Sequence, residues 1–268
     1  MFLLAHDPHL ALGLTVVLVA AFAAGFMNAV AGGGTFLTFP ALTGIAKLNE
    51  QVANMTSTIG LVPGSATSIY AAREDLARVP RNMLIAYGIV SLIGGGLGSL
   101  LLIFTSNKTF IQVIPWLLAF ATIIFAFSKP IARWAGRKHG HRSLKWSLLV
   151  GLIQFFVAIY GGYFGAGMGV LMLASLSFAG LDDLHQTNAL KVLLGMFING
   201  TATIIFCFSL MIRWEYALPM TVTSSIGGFL GIRFARSIKA DSLRMIILAI
   251  GVLLTAAYAY NAYKAAHG

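Results

Sequence analysis

Few residues in this chain can do chemistry, and the ones placed in oily surroundings are binding groups, with no reacting set among them. Asn28 is followed closely by Gly32, Gly33, Gly34 and Thr35; Asn54 and Thr56 come next; Gly165, Gly167, Gly169, Asn188 and Lys191 lie in the second half. An asparagine amide or a threonine hydroxyl can donate a hydrogen bond to an anionic oxygen. Consecutive glycines let the backbone approach a ligand closely and take dihedrals that a side chain forbids. Lys191 adds the one charge that falls inside an apolar segment away from its ends, and an intramembrane charge is a functional hypothesis by default. Together these types point to a site for a small anion. Asn54 and Asn188 have a second reading as interhelical hydrogen bonds or helix caps, and Asn188, near its segment's start, suits an N-cap. Thr56, Ser65, Asn199 and Thr201 are weaker candidates, since Ser and Thr often bond their own helix. Lys191 lies about 8–12 Å in from its segment's start at 1.5 Å per residue, so its stem either points inward or snorkels to the interface.

Other chemistry is poorly served. The six histidines lie at termini or in loops, and His139 and His141 form their only close pair, within a basic stretch. No Ser or Cys has an evident deep His, so neither an intramembrane enzyme nor a metal site is expected. Cys207 is alone in "TIIFCFSL" and reads as a buried structural thiol. All eight acidic residues sit near segment ends, whereas cation and proton pathways usually place carboxylates within the membrane. No "GxxxxGK[ST]" occurs, so the chain does not itself drive transport with ATP. No cofactor is called for. The partners expected are a small anionic substrate and membrane lipid.

The elements that must position these groups follow from composition. Of 268 residues, 58% are hydrophobic and 10% charged, against roughly 25% charged in a soluble domain; mean hydropathy is +0.86. Ten apolar segments run at about 11–30, 34–46, 51–72, 83–105, 109–128, 145–162, 166–180, 186–211, 215–235 and 241–262. This is an all-α polytopic membrane protein. The second and seventh segments are too short for a comfortable crossing of a roughly 30 Å hydrocarbon core, so each either crosses or forms a re-entrant hairpin with its predecessor. A helix broken in the membrane leaves carbonyls and N–H groups unpaired, which is tolerated where protein or water lines a cavity. The freed N–H groups and the positive end of the dipole favour an anion. The competing reading is that the glycines only permit close helix packing. That reading leads for "GGGLG" (94–98) and "GGFLG" (227–231), between repeats or between protomers of a homodimer.

The net charge of +10 is explained by topology, not by nucleic acid. Residues 129–145 carry Lys129, Arg133, Arg137, Lys138, Arg142 and Lys145. With this loop in the cytoplasm, the basic residues near 73–81 and 233–244 are inside too, giving thirteen inside against four outside, as the positive-inside rule requires. Both termini then face the periplasm of a bacterium. The N-terminus has no Lys or Arg before its apolar run, which speaks against a cleavable leader.

The two halves echo each other. "AGGGTFLTFPAL" (31–42) answers "GAGMGVLMLASL" (165–176), "PGSAT" (63–67) answers "NGTAT" (199–203), and "SLIGGGLG" (91–98) answers "SSIGGFLG" (224–231). Asn54 follows Gly33, and Asn188 follows Gly167, by 21 residues each. Each half makes an odd number of crossings, so halves sharing a fold have opposite orientation: residues 1–128 and 146–268 are two inverted-topology repeats, broken or re-entrant at their glycine motifs, joined by a cytoplasmic linker at 129–145. Inverted repeats are a mark of secondary transporters.

"AGFMNAVAGGGTFLTFPAL", "ANMTSTIGLVPGSATS" and "GGYFGAGMGV…TNALKVLLGMFINGTA" resemble the sulfite exporter TauE/SafE family over nearly all of the chain. The resemblance implies a bacterial inner-membrane transporter for small sulfur-containing anions such as sulfite or sulfonates. "FGAGMG" departs from the fuller glycine run of family members, so the two halves need not play equal roles.

Overall fold

The computed structural model describes residues 8–136, 144–181, 183–234 and 240–267. Eleven helices follow in order: α1 (Pro8–Val30), α2 (Thr35–Pro40), α3 (Glu50–Ala71), α4 (Arg73–Ala77), α5 (Arg81–Phe104), α6 (Asn107–Gly136), α7 (Leu144–Tyr163), α8 (Met168–Leu176), α9 (Leu184–Cys207), α10 (Trp214–Phe234) and α11 (Ala240–His267). No strand occurs among the described residues. Among the described residues, five helical spans, Leu12–Val30, Arg81–Phe104, Asn107–Ile124, Trp146–Tyr163 and Leu184–Cys207, are long and apolar enough to cross a bilayer. α3 and α10, with 22 and 21 residues, reach about 32 Å but are more polar, and α3 is packed among other helices.

The ten apolar segments read from the sequence all appear as helices. One short element, α4, was not expected. Its sequence Arg-Glu-Asp-Leu-Ala has no apolar stripe to reveal it. α6 continues to Gly136, so the first eight residues of the expected linker are helical. Residues 137–143 with His139 and His141, Asp182, and residues 235–239 lie outside the described residues.

Local chemistry sets several boundaries. Asn49, extended at ψ 142°, accepts the N–H groups of Gln51 and Val52 and starts α3. Asp183 does the same for α9 by accepting from His185 N, so Asn188, about one and a half turns further in, is not the N-cap. Pro40 has no N–H to give back to Phe36, and the helix widens there into a π-turn over Ala41–Ile45, with Ala46 N donating to Ala41 O. α2 and this π-turn together form an 11-residue apolar helical stretch, Thr35–Ile45.

The helices pack in two groups. α1, α3 and α10 lie against one another, as do α5, α7 and α9, while α3 touches α9 between the groups and α6 pairs with α11. Each group thus takes one helix from the opposite half of the chain. The glycine pairs of α5 and α10 make this exchange possible. Gly94 sits on Ala158 and Phe155 and Gly98 on the Ile159 carbonyl of α7; Gly227 and Gly231 sit on the Phe22 and Phe26 carbonyls of α1. A Cβ at these positions would run into backbone or Cβ atoms, so packing within one chain is their role. A buried polar link, Gln154 to Ser91 and Ser175 to Gln154, each 3.1 Å, ties α5, α7 and α8. Cys207, expected to be buried, is exposed at the last residue of α9, where the helix turns away into the 208–213 connection.

Candidate functional site

Two helices stop inside the molecule, and their ends are built alike. After α1 the carbonyl of Met27 accepts from both Ala31 N and Gly32 N at 2.8 Å; after α7 the carbonyl of Tyr160 accepts from Phe164 N and Gly165 N at 2.9 and 3.3 Å. The chain then takes left-handed dihedrals at Gly32 (φ 84°) and Gly33 (φ 94°), and at Gly165 (φ 77°) and Gly167 (φ 73°), conformations that cost any other residue. α2 and α8 begin immediately afterwards. The two breaks touch: a Cβ on Gly32 would lie 2.6 Å from Gly169 Cα, and one on Gly169 would lie 2.6 Å from Gly32 Cα.

The carbonyls left over at each broken end are capped from the other half of the chain. On α1, Asn28 O accepts from Lys191 Nζ at 2.9 Å, and Ala29 O accepts from Asn188 Nδ2 at 3.0 Å and from Lys191 Nζ at 3.4 Å. On α7, Tyr163 O accepts from Asn54 Nδ2 at 3.1 Å. The two asparagines at equal spacing therefore do equivalent jobs in opposite directions. Both leave Oδ1 buried and unpaired. Between the two structural alternatives to a ligand contact for Asn54 and Asn188, an interhelical hydrogen bond or a cap of their own helix, the interhelical hydrogen bond is the one observed.

Lys191 does not snorkel. It is 2% exposed, and its ammonium reaches across to α1. Among the described residues, no acidic residue lines the cavity around it. Two of its three N–H donors are engaged by the α1 carbonyls.

The cavity where the breaks meet is lined by Asn28, Gly32 and Thr35 from the first half and by Gly165, Gly169 and Lys191 from the second, six of the twelve residues singled out in the sequence. Ser65 and Asn199, the weaker candidates, also line it. Asn28 Oδ1 spans the first break to accept Gly34 N at 2.6 Å. Thr35 is 9% exposed and its hydroxyl has no protein partner among the described residues. The backbone N–H groups of Thr35 and Gly169 have no protein acceptor either, so each short helix offers one bare amide at its start. The cavity measures about 30 Å³, room for about two waters at roughly 10–15 Å³ each.

The remaining candidates lie elsewhere. Gly33 and Gly34 shape the turn behind the cavity wall. Gly167 faces Ala121 and the Phe36 ring. Asn54 and Asn188 act on helix ends. Thr56 is buried but accepts from Arg213 N at 3.3 Å, tying α3 to the start of α10. Sequence reasoning missed Ser68, Met168, Met172, Val192 and Gly195. Gly195 and Asn199 follow Lys191 at intervals of four, one face of a helix, and that spacing was the available signal.

Comparison with known proteins agrees with this architecture. The family described as sulfite exporter TauE/SafE matches residues 17–258. A probable membrane transporter protein of Haemophilus influenzae is 24% identical over 92% of this chain and 95% of its own length. The probable membrane transporter protein ORF9 of a Sinorhizobium species is 28% identical over 90% of each chain. The probable membrane transporter protein YfcA of Escherichia coli K12 is 25% identical over 93% of this chain and 91% of its own length. No solved structure matches. With both broken helices and nearly every apolar helix inside the matched region, this chain is a multi-pass membrane protein that belongs to the sulfite exporter TauE/SafE family.

Proposed function

We propose that the chain is a secondary carrier moving a small sulfur-containing anion, of the sulfite, sulfonate or sulfoacetate type, across the bacterial inner membrane, with both termini in the periplasm. The observation that carries the anion reading is Lys191: a fully buried ammonium with no carboxylate beside it, at the one place where two helix breaks meet. Burying an unpaired charge is costly. Helix-end carbonyls offset part of that cost, and a bound anion would supply the missing counter-charge. The bare amides of Thr35 and Gly169 and the Thr35 hydroxyl are donors of the kind a sulfur oxyanion accepts from. The small cavity favours a compact guest, and the walls must part to admit one. The sulfur-anion assignment itself leans on the family.

The matched turns at the breaks and the reciprocal asparagine caps support the inverted-repeat reading, with the site at the repeat interface. In this mechanism the α1–α3–α10 and α5–α7–α9 groups tilt against each other and expose the cavity to one side at a time. The purified protein in liposomes, offered sulfite, sulfoacetate, sulfate and acetate, tests the reading. Saturable flux of a sulfur anion, well above acetate and at least tenfold lower in Lys191→Met, is expected. Equal movement of all four anions, or of none, would overturn the assignment.

A further inference from the structure

Within the carrier reading, on which this inference rests, the charge of the cavity says more than that the guest is an anion. We infer that the site takes a singly charged anion, so that the loaded carrier is electrically neutral at its centre and the empty carrier bears one positive charge.

The argument is a charge inventory of the cavity. Among the described residues, its lining holds one ionisable side chain, Lys191, and no arginine, histidine, aspartate or glutamate. Four helix ends converge there. The starts of α2 and α8 each present about half a positive charge, and the ends of α1 and α7 each about half a negative one. These cancel in pairs, because the two breaks place one helix end and one helix start together in each half. What remains is the ammonium. A hydrogen sulfite or monosulfonate guest neutralises it. A dianion such as sulfate or sulfoacetate would leave a net negative charge in a closed cavity with no second cation, and uncompensated buried charge is heavily penalised, whereas the ammonium of the empty carrier keeps the Asn28 and Ala29 carbonyls as partners. This narrows the proposed substrates to the singly charged ones. The donors available agree with a single anionic group: one lysine N–H beyond those given to α1, the Thr35 hydroxyl, and the amides of Thr35 and Gly169.

This charge state also gives the cycle a direction. The neutral loaded form crosses without responding to membrane potential. The empty form carries its positive charge back, and an interior-negative potential favours return to the inward-facing state. Each turn then moves one negative charge outward, and the potential alone drives export with no coupling ion.

The test uses full-length protein in liposomes with methanesulfonate and sulfate, two tetrahedral anions of similar size that differ by one charge. Methanesulfonate efflux should exceed sulfate efflux at least tenfold. An interior-negative potassium diffusion potential of about 100 mV should speed net methanesulfonate efflux several-fold, below the ceiling of about 50-fold for one full charge. Methanesulfonate exchange against itself should not change. Lys191→Arg should keep the preference for methanesulfonate, and the residual flux of Lys191→Met should show neither the preference nor the voltage response. Sulfate moving as fast as methanesulfonate, or exchange responding to voltage as strongly as net efflux, overturns the charge assignment while leaving the carrier reading standing. Failure of every anion to move takes both down.

Discussion

Replacing Gly32 by alanine probes the contact on which the site depends. Two separate penalties apply at that position. Its φ of 84° is left-handed, which costs a residue with a Cβ roughly 1–2 kcal/mol. The added Cβ would also stand 2.6 Å from Gly169 Cα, 2.8 Å from Gly169 C and 3.0 Å from Val170 N. All three are backbone atoms, so no side-chain rotation relieves the clash, and overpacking of this kind costs about 1–3 kcal/mol. Together they predict a loss of about 2–5 kcal/mol. At roughly 2–4 °C per kcal/mol for a chain of this order of size, the melting temperature falls by about 4–20 °C. Two companion variants separate the terms. Gly165→Ala meets a similar φ of 77°, but its nearest neighbour is Gly161 O at 3.1 Å, so mainly the conformational penalty applies, roughly 1–2 kcal/mol. Gly200→Ala has nothing within 4 Å and no left-handed φ, and inside α9 it should gain about 0.5–1 kcal/mol. Thermal unfolding of the three purified variants in one detergent should therefore rank Gly200→Ala above wild type, then Gly165→Ala, then Gly32→Ala. A Gly32→Ala protein melting level with wild type would refute the claim that the two breaks are in backbone contact.

Four further expectations can be checked, three on purified protein and one on intact cells. Thr35→Val removes a hydroxyl with no protein partner, so its melting temperature should hold while the half-saturation concentration for the transported anion rises about tenfold, the value of one hydrogen bond to a charged group. Thr56→Val frees Arg213 N instead and should cost about 1 kcal/mol of stability with half-saturation unchanged; the opposite pattern in thermal and flux assays would exchange the two threonines' roles. Cys207, exposed at the end of α9, should react with a membrane-impermeant maleimide added to intact cells, and protection there with labelling only from the cytoplasmic side would reverse the orientation. Gly98→Ala and Gly227→Ala, each pressing a methyl onto a carbonyl of the neighbouring helix, should lower melting temperature by similar amounts, and a large inequality would argue against equivalent helix pairs.

Much of the fold was legible because bilayer helices announce themselves by length and hydropathy, and because glycine has few alternatives where φ is positive. The breaks at 31–34 and 164–167 could be read from Gly32, Gly33, Gly165 and Gly167 for that reason. Less legible was everything decided by a partner distant in sequence. Asn188 looked like a cap of its own helix because it sits near that helix's start; its acceptor, Ala29 O, is 159 residues away. Lys191 was ambiguous for the same cause, since the choice between interface and interior depended on where α1 ended in space. Cys207 misled because an apolar neighbourhood in sequence says nothing about which side of a helix faces outward. Met168 and Met172 carry no signal of their own in the sequence, and only the convergence of α8 with α9 places them on a cavity wall.

The reciprocal caps constrain how the halves can move. The carbonyl end of α1 is held by Asn188 and Lys191 of α9, and that of α7 by Asn54 of α3, so each cap crosses between the two packing groups. In the proposed cycle, tilting one group against the other would therefore stretch these bonds at the same place where the cavity opens. A freed helix-end carbonyl in a dry interior costs about 1–3 kcal/mol, but in a cavity that has just admitted water it costs far less, because water replaces the amide. Opening and solvation are thus coupled through the asparagines, and a closed, dry cavity re-forms the caps. The lysine differs from its counterparts here. Asn54 and Asn188 surrender neutral bonds that water can replace, whereas Lys191 retains a charge that an anion compensates better than the bonds to α1 do. On this account the substrate need not pull the helices shut. It neutralises the one group whose burial weakens closure, so the loaded form closes more readily than the empty one, and the caps serve both.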